Sequence, residues 1–324
     1  MKHLSILGAG SWGTALAIVL SPRFERISLW VHEHDLAERL EASRENDIYL
    51  PGFRIPSNVV ISQQTDEADI ILGVMPSKFA RSVYSQLKLA PDVPIVSATK
   101  GLERSSLKRV SQVIEETQPG HPVAVLSGPT FAREIAKGDP AAIVIASHHA
   151  ELASSIQSLF GGRNLRLYTN PDVIGVEIGA ALKNVIALAA GVCQGLGWGN
   201  NTIAALITRG LAEITRLAVA AGGDPKTLAG LAGLGDLVLT CTGDLSRNRQ
   251  TGIALGKGKT LPEIIRSTKM IAEGIENTYT ALELARQFHV DVPIVEQLSL
   301  ILNGEKTPAA AIHDLMNRQP KDES

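Results

Sequence analysis

The fold is decided by the stretch HLSILGAGSWG at residues 3–13. Its first five residues form a mostly apolar run that predicts a buried β-strand, and a helical pattern follows over residues 14–20. Between them, Gly8 permits a tight turn, Gly10 lets the backbone approach a pyrophosphate, and Gly13 lets helix and strand pack closely. Strand, glycine turn and helix in this order predict a dinucleotide-binding site, because the first N–H groups of the helix can bind phosphate.

The residues after the second predicted strand bear on which dinucleotide is used. This strand covers residues 27–31, and His32-Glu33-His34-Asp35 follow it. An acidic side chain here would bind the ribose 2′-hydroxyl of NAD, whereas a cationic one would suit the 2′-phosphate of NADP. Since both kinds of group are present, the choice between NAD and NADP stays open. His32, the first residue past the strand, slightly favours NADP.

Strand and helix patterns alternate through the first half of the chain. The predicted strands are residues 3–7, 27–31, 59–61, 69–74, 94–98, 123–127, 141–146 and 165–168. The predicted helices are residues 14–20, 77–87, 107–117 and 150–160. This alternation predicts an α/β Rossmann domain, a doubly wound parallel sheet with helices on both faces, over residues 1–170. The pattern beyond it is helical, which predicts an all-α domain over residues 171–324.

Three candidate site segments follow predicted strands of this sheet. They are VMPS at residues 74–77, TKG at 99–101 and SGPTF at 127–131. Ligands of doubly wound sheets bind beyond the carboxyl ends of the strands. Each segment alone could be an ordinary turn. Their convergence on one edge predicts a site that includes Lys100, Gly128 and Thr130.

The helical half contains one isolated cation. Lys183 is the only charged residue between Glu177 and Arg209, and its helical neighbours three and four positions away are small or apolar. Desolvation there would lower the lysine pKa towards the range useful for proton transfer. The alternative is a lysine whose tip reaches solvent.

Two further features of this half could serve a site. Asp236 is the only charge between Lys226 and Asp244, so it needs a partner, for which Lys183 is the candidate. An aspartate after glycine is also typical of a helix cap, and the two interpretations are compatible. Ser246-Arg247-Asn248-Arg249 opens another predicted helix with Ser246 as its cap. An arginine beside free helix N–H groups binds phosphate or carboxylate, although a solvated helix start has the same pattern.

Composition narrows the class of protein. The 31 Lys and Arg residues against 33 Asp and Glu give a net charge of −2, without the basic excess of a nucleic-acid-binding protein. Cys193 and Cys241 lie in apolar surroundings, which predicts free buried thiols and no metal site. The first apolar run ends at Gly8, too early for a signal peptide, and polar residues and glycines interrupt the uncharged stretch after Lys183. We therefore expect a cytoplasmic protein without membrane insertion.

Six short motifs occur along the chain, each of them once. They are GAGSWGT at residues 8–14, ATKGLE at 98–103, SGPTF at 127–131, KN at 183–184, GLGDL at 233–237 and SRN at 246–248. Together they resemble the NAD(P)-dependent glycerol-3-phosphate dehydrogenases, and the resemblance extends to about Asn303. It implies reversible reduction of dihydroxyacetone phosphate to sn-glycerol 3-phosphate, the precursor of glycerophospholipids, by a homodimer.

The resemblance also implies roles for single residues, with Lys183 as proton donor and acceptor. The implied substrate-binding positions are Lys100, Gly128, Thr130, Lys183, Asp236, Ser246, Arg247 and Asn248. The implied cofactor contacts, beside Gly8, Gly10 and Gly13 of the turn, are Ser11, Trp12, His32, Lys100, Ala132, Arg247, Ile271 and Glu273. Two positions depart from the family pattern: His32 stands where many relatives have arginine, and Asn200 stands where aspartate is expected.

Two other functions are compatible with parts of this pattern. A β-hydroxyacid dehydrogenase would share the Rossmann domain and the lysine chemistry, and Arg247 would then bind a carboxylate. A protein that senses NAD(P)H without turnover would keep the glycine turn. It would not need Lys183, Asp236 and Arg247, so their joint presence argues against it.

Overall fold

The chain divides into two units, Met1–Glu177 and Ile178–Ser324. The computed structural model describes residues 2–65, 67–267, 272–320 and 322. We call the two parts unit 1 and unit 2. The division falls within one long helix, Val173–Gly195.

Unit 1 contains an eight-stranded sheet and a separate two-stranded hairpin. The strands are β1 (His3–Leu7), β2 (Arg26–Trp30), β3 (Glu45–Asn46), β4 (Leu50–Arg54), β5 (Val59–Ser62), β6 (Ile70–Gly73), β7 (Ile95–Ser97), β8 (Val123–Ser127), β9 (Ala141–Ala146) and β10 (Leu165–Asn170). The large sheet has the order β10-β9-β8-β7-β6-β1-β2-β5, and β3 pairs with β4. All eight strands predicted from the sequence are confirmed, with ends shifted by at most two residues.

Helices cover both faces of this sheet. They are α1 (Ser11–Leu20), α2 (His34–Ser43), α3 (Ser77–Tyr84), α4 (Val110–Thr117), α5 (Ala132–Lys137) and α6 (Ala150–Phe160). Successive side chains of a strand point to opposite faces of the sheet, so two neighbouring residues of β6 identify the helices on each face. Leu72 packs in a cluster with Leu16 of α1 and Phe160 of α6, whereas Ile71 packs with Tyr84 of α3. The predicted doubly wound architecture is confirmed.

The sheet is not parallel throughout, so the prediction of a parallel sheet is wrong at one pair. β8 and β9 are antiparallel, with Ser127 opposite Val144. A parallel crossover must return the chain to the amino end of the preceding strand, usually through a full helix. Here the connection contains only the six-residue α5, and the chain re-enters the sheet from the carboxyl end of β8. The eleven-residue α6 then gives β10 a parallel partner in β9.

Unit 2 is helical, as predicted. Its helices, with the one it shares with unit 1, are α7 (Val173–Gly195), α8 (Asn200–Ala220), α9 (Pro225–Leu228), α10 (Asp236–Thr242), α11 (Arg247–Gly256), α12 (Leu261–Ser267), α13 (Glu273–Phe288), α14 (Pro293–Leu302) and α15 (Pro308–Met316). A π-helical turn, Leu231–Gly235, precedes α10. The described residues of this unit contain no strand.

Glycines bring the backbones of α7 and α11 into contact. A Cβ atom at Gly191 would lie 2.0 Å from the carbonyl oxygen of Arg249, and one at Gly252 would lie 2.0 Å from that of Leu188. Gly195 and Gly256 repeat this contact one turn further along. Because no side chain separates the helices, the first turn of α11 lies beside the middle of α7.

One helix in the described ranges, α7, is long and apolar enough to cross a bilayer by length and composition alone. Its most apolar window is 94% buried inside the protein, which is what the core helix of a soluble protein also shows.

The predicted free thiols are confirmed: Cys193 and Cys241 are both buried and unbridged. Burial raises the pKa of Cys193 to about 11 and that of Cys241 to about 12.

Candidate active site

The glycine turn after β1 has the geometry expected of a dinucleotide-binding turn. Gly8 has a φ of +121°, and a Cβ atom there would lie 2.4 Å from the carbonyl oxygen of Val74. A Cβ atom at Gly13 would lie 1.9 Å from the carbonyl oxygen of Gly8. Gly10, by contrast, has no atom within 4 Å of such a Cβ and caps α1 without a side-chain bond. The space in front of the N-terminus of α1 is therefore open, and a pyrophosphate would fit there.

The hairpin β3–β4, which sequence reasoning missed, is bound to this turn. The Asn46 side chain, fully buried, donates through Nδ2 to the carbonyl oxygen of Ala9 and to Thr14 Oγ1, each at 2.8 Å. Ser11 Oγ donates to the carbonyl oxygen of Tyr49 at 2.6 Å. Ser11, predicted as a cofactor contact, therefore also holds the hairpin. The strands are short and only two of their seven residues are buried, so they lack the apolar run that identified the others.

Three other predicted cofactor contacts lie in unit 1. The indole Nε1 of Trp12 is buried and has no hydrogen-bond partner within the described part of the chain. An unsatisfied buried N–H costs roughly 1–3 kcal/mol, so a bound acceptor would be favourable. His32 is exposed, with its ring 5.8 Å from that of Trp30, and Ala132 is the first residue of α5.

Lys100 meets the other two predicted substrate residues of unit 1. It is half-buried, and its Nζ donates to the carbonyl oxygen of Gly128 at 3.2 Å and to Thr130 Oγ1 at 3.5 Å. Gly128 has a φ of +144°, and a Cβ atom there would lie 3.0 Å from the Cα atom of Ile143. A side chain at position 128 would be strained and crowded, so glycine is required where Lys100 contacts the backbone.

In unit 2, Lys183 is buried rather than solvated. Only 5% of the residue is exposed, and its Nζ donates to Asp236 Oδ1 at 2.6 Å and to Thr240 Oγ1 at 2.8 Å. The predicted partnership with Asp236 is confirmed, and a lysine tip that reaches solvent is excluded. The suggestion that Asp236 caps a helix is wrong, because Gly235 is the cap and Asp236 the first residue of α10.

Thr240 completes this cluster and was not predicted. Its hydroxyl donates to the carbonyl oxygen of Asp236 at 2.6 Å and accepts from Lys183. The two residues are four positions apart on α10 and therefore share a helix face. This four-residue spacing is the feature of the sequence from which Thr240 could have been predicted. A carboxylate and a hydroxyl thus orient one buried ammonium, an arrangement suited to proton transfer.

The packing around α7 explains how these groups meet. Gly179 lies one turn before Lys183, and a Cβ atom there would lie 3.1 Å from the carbonyl oxygen of Ala232 in the π-helical turn. The small face predicted for α7 therefore packs closely against the segment that leads into Asp236. π-Helical turns of this kind are frequent at functional sites.

The first turn of α11 supplies the remaining predicted residues. Ser246 is the cap, as predicted: its Oγ accepts from the backbone N–H of Arg249 at 3.3 Å. Arg247 is exposed. Asn248 is buried, and its Nδ2 donates to Asn184 Oδ1 at 3.0 Å while its Oδ1 accepts from the backbone N–H of Gly274 at 2.8 Å.

Asn248 thereby links α7 to the start of α13, where Glu273 is the first residue. Ile271, predicted as a cofactor contact, lies outside the described residues. No group of three or more His, Cys, Asp or Glu side chains that could hold a metal ion occurs in the described ranges.

Two family models, two similar sequences and one crystal structure agree on one family. The family model described as NAD-dependent glycerol-3-phosphate dehydrogenase N-terminus matches residues 3–153, and its C-terminal counterpart matches residues 172–313. The chain is 49% identical over 329 residues to the glycerol-3-phosphate dehydrogenase [NAD(P)+] of Koribacter versatilis, covering 98% of both chains. It is 46% identical to the protein of the same name from Syntrophotalea carbinolica, covering 99% of both. The crystal structure of glycerol-3-phosphate dehydrogenase from Coxiella burnetii is 37% identical, with a TM-score of 0.94 over 98% of this chain and 99% of that one.

Proposed function

The chain belongs to the NAD-dependent glycerol-3-phosphate dehydrogenase family, and we propose how its residues perform that reaction. The enzyme transfers hydride reversibly between NAD(P)H and dihydroxyacetone phosphate, giving sn-glycerol 3-phosphate. The observation that carries the proposal is the buried contact of Lys183 with Asp236 and Thr240. We further propose that the product supplies glycerophospholipid synthesis, and that the enzyme is a cytoplasmic homodimer.

Lys183 is the proposed proton donor. When the ketone carbon accepts hydride, negative charge develops on its oxygen, and an ammonium within hydrogen-bond reach stabilises that charge and transfers a proton. Lys183 is left neutral and regains the proton from water. In the reverse direction the neutral amine removes the hydroxyl proton of glycerol 3-phosphate. Asp236 and Thr240 hold Nζ in place, which limits the reorganisation needed at the moment of transfer.

The substrate phosphate requires a separate anion site. We propose that Arg247 and the N-terminus of α11 bind it, with Ser246 and Asn248, since this ten-residue helix presents a positive dipole end beside an exposed guanidinium. In unit 1, Lys100, Gly128 and Thr130 form a second polar group proposed to contact substrate. Binding energy from the remote phosphate would then position the carbonyl.

The residues of unit 1 fit a dinucleotide. A bound nicotinamide cofactor supplies the hydride and accepts it in the reverse direction. We propose that Gly8, Gly10 and Gly13 with Ser11 and Trp12 hold its pyrophosphate end, because the turn is open at Gly10 and no acceptor for the Trp12 N–H occurs among the described residues. The further proposed contacts are His32, Lys100, Ala132, Arg247, Ile271 and Glu273. In this proposal residues 1–170 are the cofactor domain and residues 171–324 the catalytic domain.

The reaction is tested by following the absorbance of NADPH, and separately of NADH, with dihydroxyacetone phosphate. We expect turnover with both cofactors and a higher rate with NADPH, in accord with His32. Oxidation of 3-hydroxyacids without activity on dihydroxyacetone phosphate would instead support the β-hydroxyacid dehydrogenase alternative. Cofactor binding without turnover on either substrate would support the sensor.

The phosphate site is tested by Arg247→Ala. We expect the KM for dihydroxyacetone phosphate to rise by about tenfold to a hundredfold, because a charge-assisted bond contributes about 1.5–3 kcal/mol. Arg249→Ala, on the same helix as Arg247, is the control, since Arg249 forms an ion pair with Asp244 in the turn before the helix. An unchanged KM in the Arg247 variant would place the phosphate elsewhere.

A further inference from the structure

Glu103 lies in the ATKGLE motif, and the proposed function gives it no role. The structure shows it 8% exposed and bound to Arg81 of α3. Arg81 Nε donates to Oε1 and Arg81 Nη2 donates to Oε2, both at 2.8 Å. Two parallel N–H···O bonds between guanidinium and carboxylate form the strongest and most direction-dependent kind of ion pair. The hydrogen bonds from Arg81 also lower the pKa of Glu103, which keeps the carboxylate charged at neutral pH.

Glu103 also closes the loop to which it belongs, residues 98–109. Its backbone N–H donates to the carbonyl oxygen of Lys108 at 2.9 Å, and its own carbonyl oxygen accepts from the N–H of Leu107 at 2.8 Å. Ser106 Oγ donates to its Oε2 at 2.5 Å. Glu103 therefore both stabilises the shape of this loop and binds it to α3.

Lys100 depends on that loop for its position. It lies after the end of β7 and before α4, so neither element holds its backbone. Gly101 follows it with a φ of +132°, a conformation that other residues rarely adopt. Glu103, paired with Arg81, is three positions beyond Lys100 along the chain, and Lys100 Nζ must reach Gly128 and Thr130 from this backbone.

We propose that Glu103 is a positioning residue that acts through Lys100: its pair with Arg81 anchors the loop so that the Lys100 ammonium lies where it can bind substrate. The inference rests on the proposed substrate-binding role of Lys100. A displacement of about 1 Å at a positioning group can cost up to about a hundredfold in rate. Loss of the anchor should therefore be measurable in substrate kinetics.

The test combines Glu103→Gln with Lys100→Met. Glutamine keeps the size of the side chain but lacks the charge and places an amide N–H₂ against the guanidinium. We expect Glu103→Gln to raise the KM for dihydroxyacetone phosphate about tenfold at saturating NADPH. In the Lys100→Met background the same change should alter kcat/KM by less than about twofold, because residues that act through each other are not additive.

Glu116→Gln is the matched control. Glu116 accepts from the same Arg81 Nη2 at 2.8 Å. It belongs to α4, and its contact with the loop is an exposed ion pair with Lys108, eight positions beyond Lys100. We expect it to leave the KM within about twofold of the unsubstituted enzyme. A rise as large as that of Glu103→Gln would show that any loss from the Arg81 cluster has this effect, and would overturn the proposal.

The remaining outcomes separate this proposal from the proposed function. Equal losses from Glu103→Gln in both backgrounds would mean a general structural role and overturn the positioning role. If Lys100→Met has the same kcat and KM as the unsubstituted enzyme, the proposed role of Lys100 itself is contradicted. If Glu103→Gln does not fold, Arg81→Lys tests the same contact, because lysine keeps the charge but not the two parallel bonds. The same non-additivity with Lys100→Met is then expected, and additivity would again overturn the proposal.

Discussion

Two lysines, one in each unit, are held in opposite ways. Lys183 lies within a helix, is almost fully buried and binds the carboxylate of Asp236. Lys100 lies on a loop, is half-buried, and its two described hydrogen bonds go to the neutral oxygens of Gly128 and Thr130. A buried ammonium oriented by a carboxylate suits proton transfer, whereas an ammonium on a loop with neutral acceptors suits binding of an anion. We infer that the chain uses one lysine for chemistry and the other for affinity.

The comparison predicts first a large difference in stability. Asp236→Ala removes the carboxylate from a buried pair, and we expect it to cost about 3–5 kcal/mol in free energy of unfolding. Lys100→Met, on a half-buried loop, should change stability far less. Urea denaturation of the two variants measures this, and equal losses would contradict the difference in burial.

A second buried carboxyl group in unit 2 sharpens the comparison, because it has backbone partners instead of a lysine. Glu213 accepts from the backbone N–H of Ile294 at 2.8 Å and of Val295 at 3.4 Å, at the start of α14. Burial raises its pKa to about 7, partly offset by these two bonds and by Arg216, while Asp291 adds to the rise.

The folded state therefore binds more protons than the unfolded state between the ordinary pKa of glutamate, about 4.3, and pH 7. We expect the contribution of Glu213 to stability to be fully present below that range and to fall by up to about 4 kcal/mol as pH rises through it. Glu213→Gln removes the titrating group. Urea midpoints from pH 4 to pH 8 should show a weaker fall in that variant, and identical profiles would contradict the raised pKa.

The close crossing of α7 and α11 gives a smaller effect. Gly252→Ala would place a methyl group 2.0 Å from the carbonyl oxygen of Leu188, and such overpacking costs about 1–3 kcal/mol. Gly199→Ala is the control, because no atom lies within 4 Å of a Cβ there. Thermal unfolding of both variants measures the difference. A Gly252 variant as stable as the control would mean that the crossing tolerates a side chain.

Features that depend on local sequence could be predicted, and the two units each contain examples. The strands of the large sheet and the glycine turn follow from local apolar runs and local backbone needs. The Lys183–Asp236 pair also follows, because two charges isolated in apolar sequence need each other. These inferences require little knowledge of distant packing.

Other features depend on contacts that no local pattern encodes. Arg81 and Glu103 are 22 positions apart and read in the sequence as ordinary surface charges. The Asn184–Asn248 contact requires the close crossing of α7 and α11. The direction of β9 depends on where the chain leaves α5, which the alternation of strands and helices does not reveal. The hairpin β3–β4 has too few buried side chains to show a strand pattern.

The division of labour between the two lysines is tested most directly by measuring kcat and KM for dihydroxyacetone phosphate in Lys183→Met and Lys100→Met. NADPH binding is titrated in parallel as a check on folding. We expect Lys183→Met to lose kcat by roughly a hundredfold or more while it still binds NADPH, the scale of general acid–base catalysis. We expect Lys100→Met to raise KM mainly, as loss of a binding contact does. A near-normal kcat in Lys183→Met would contradict its role as the proton donor.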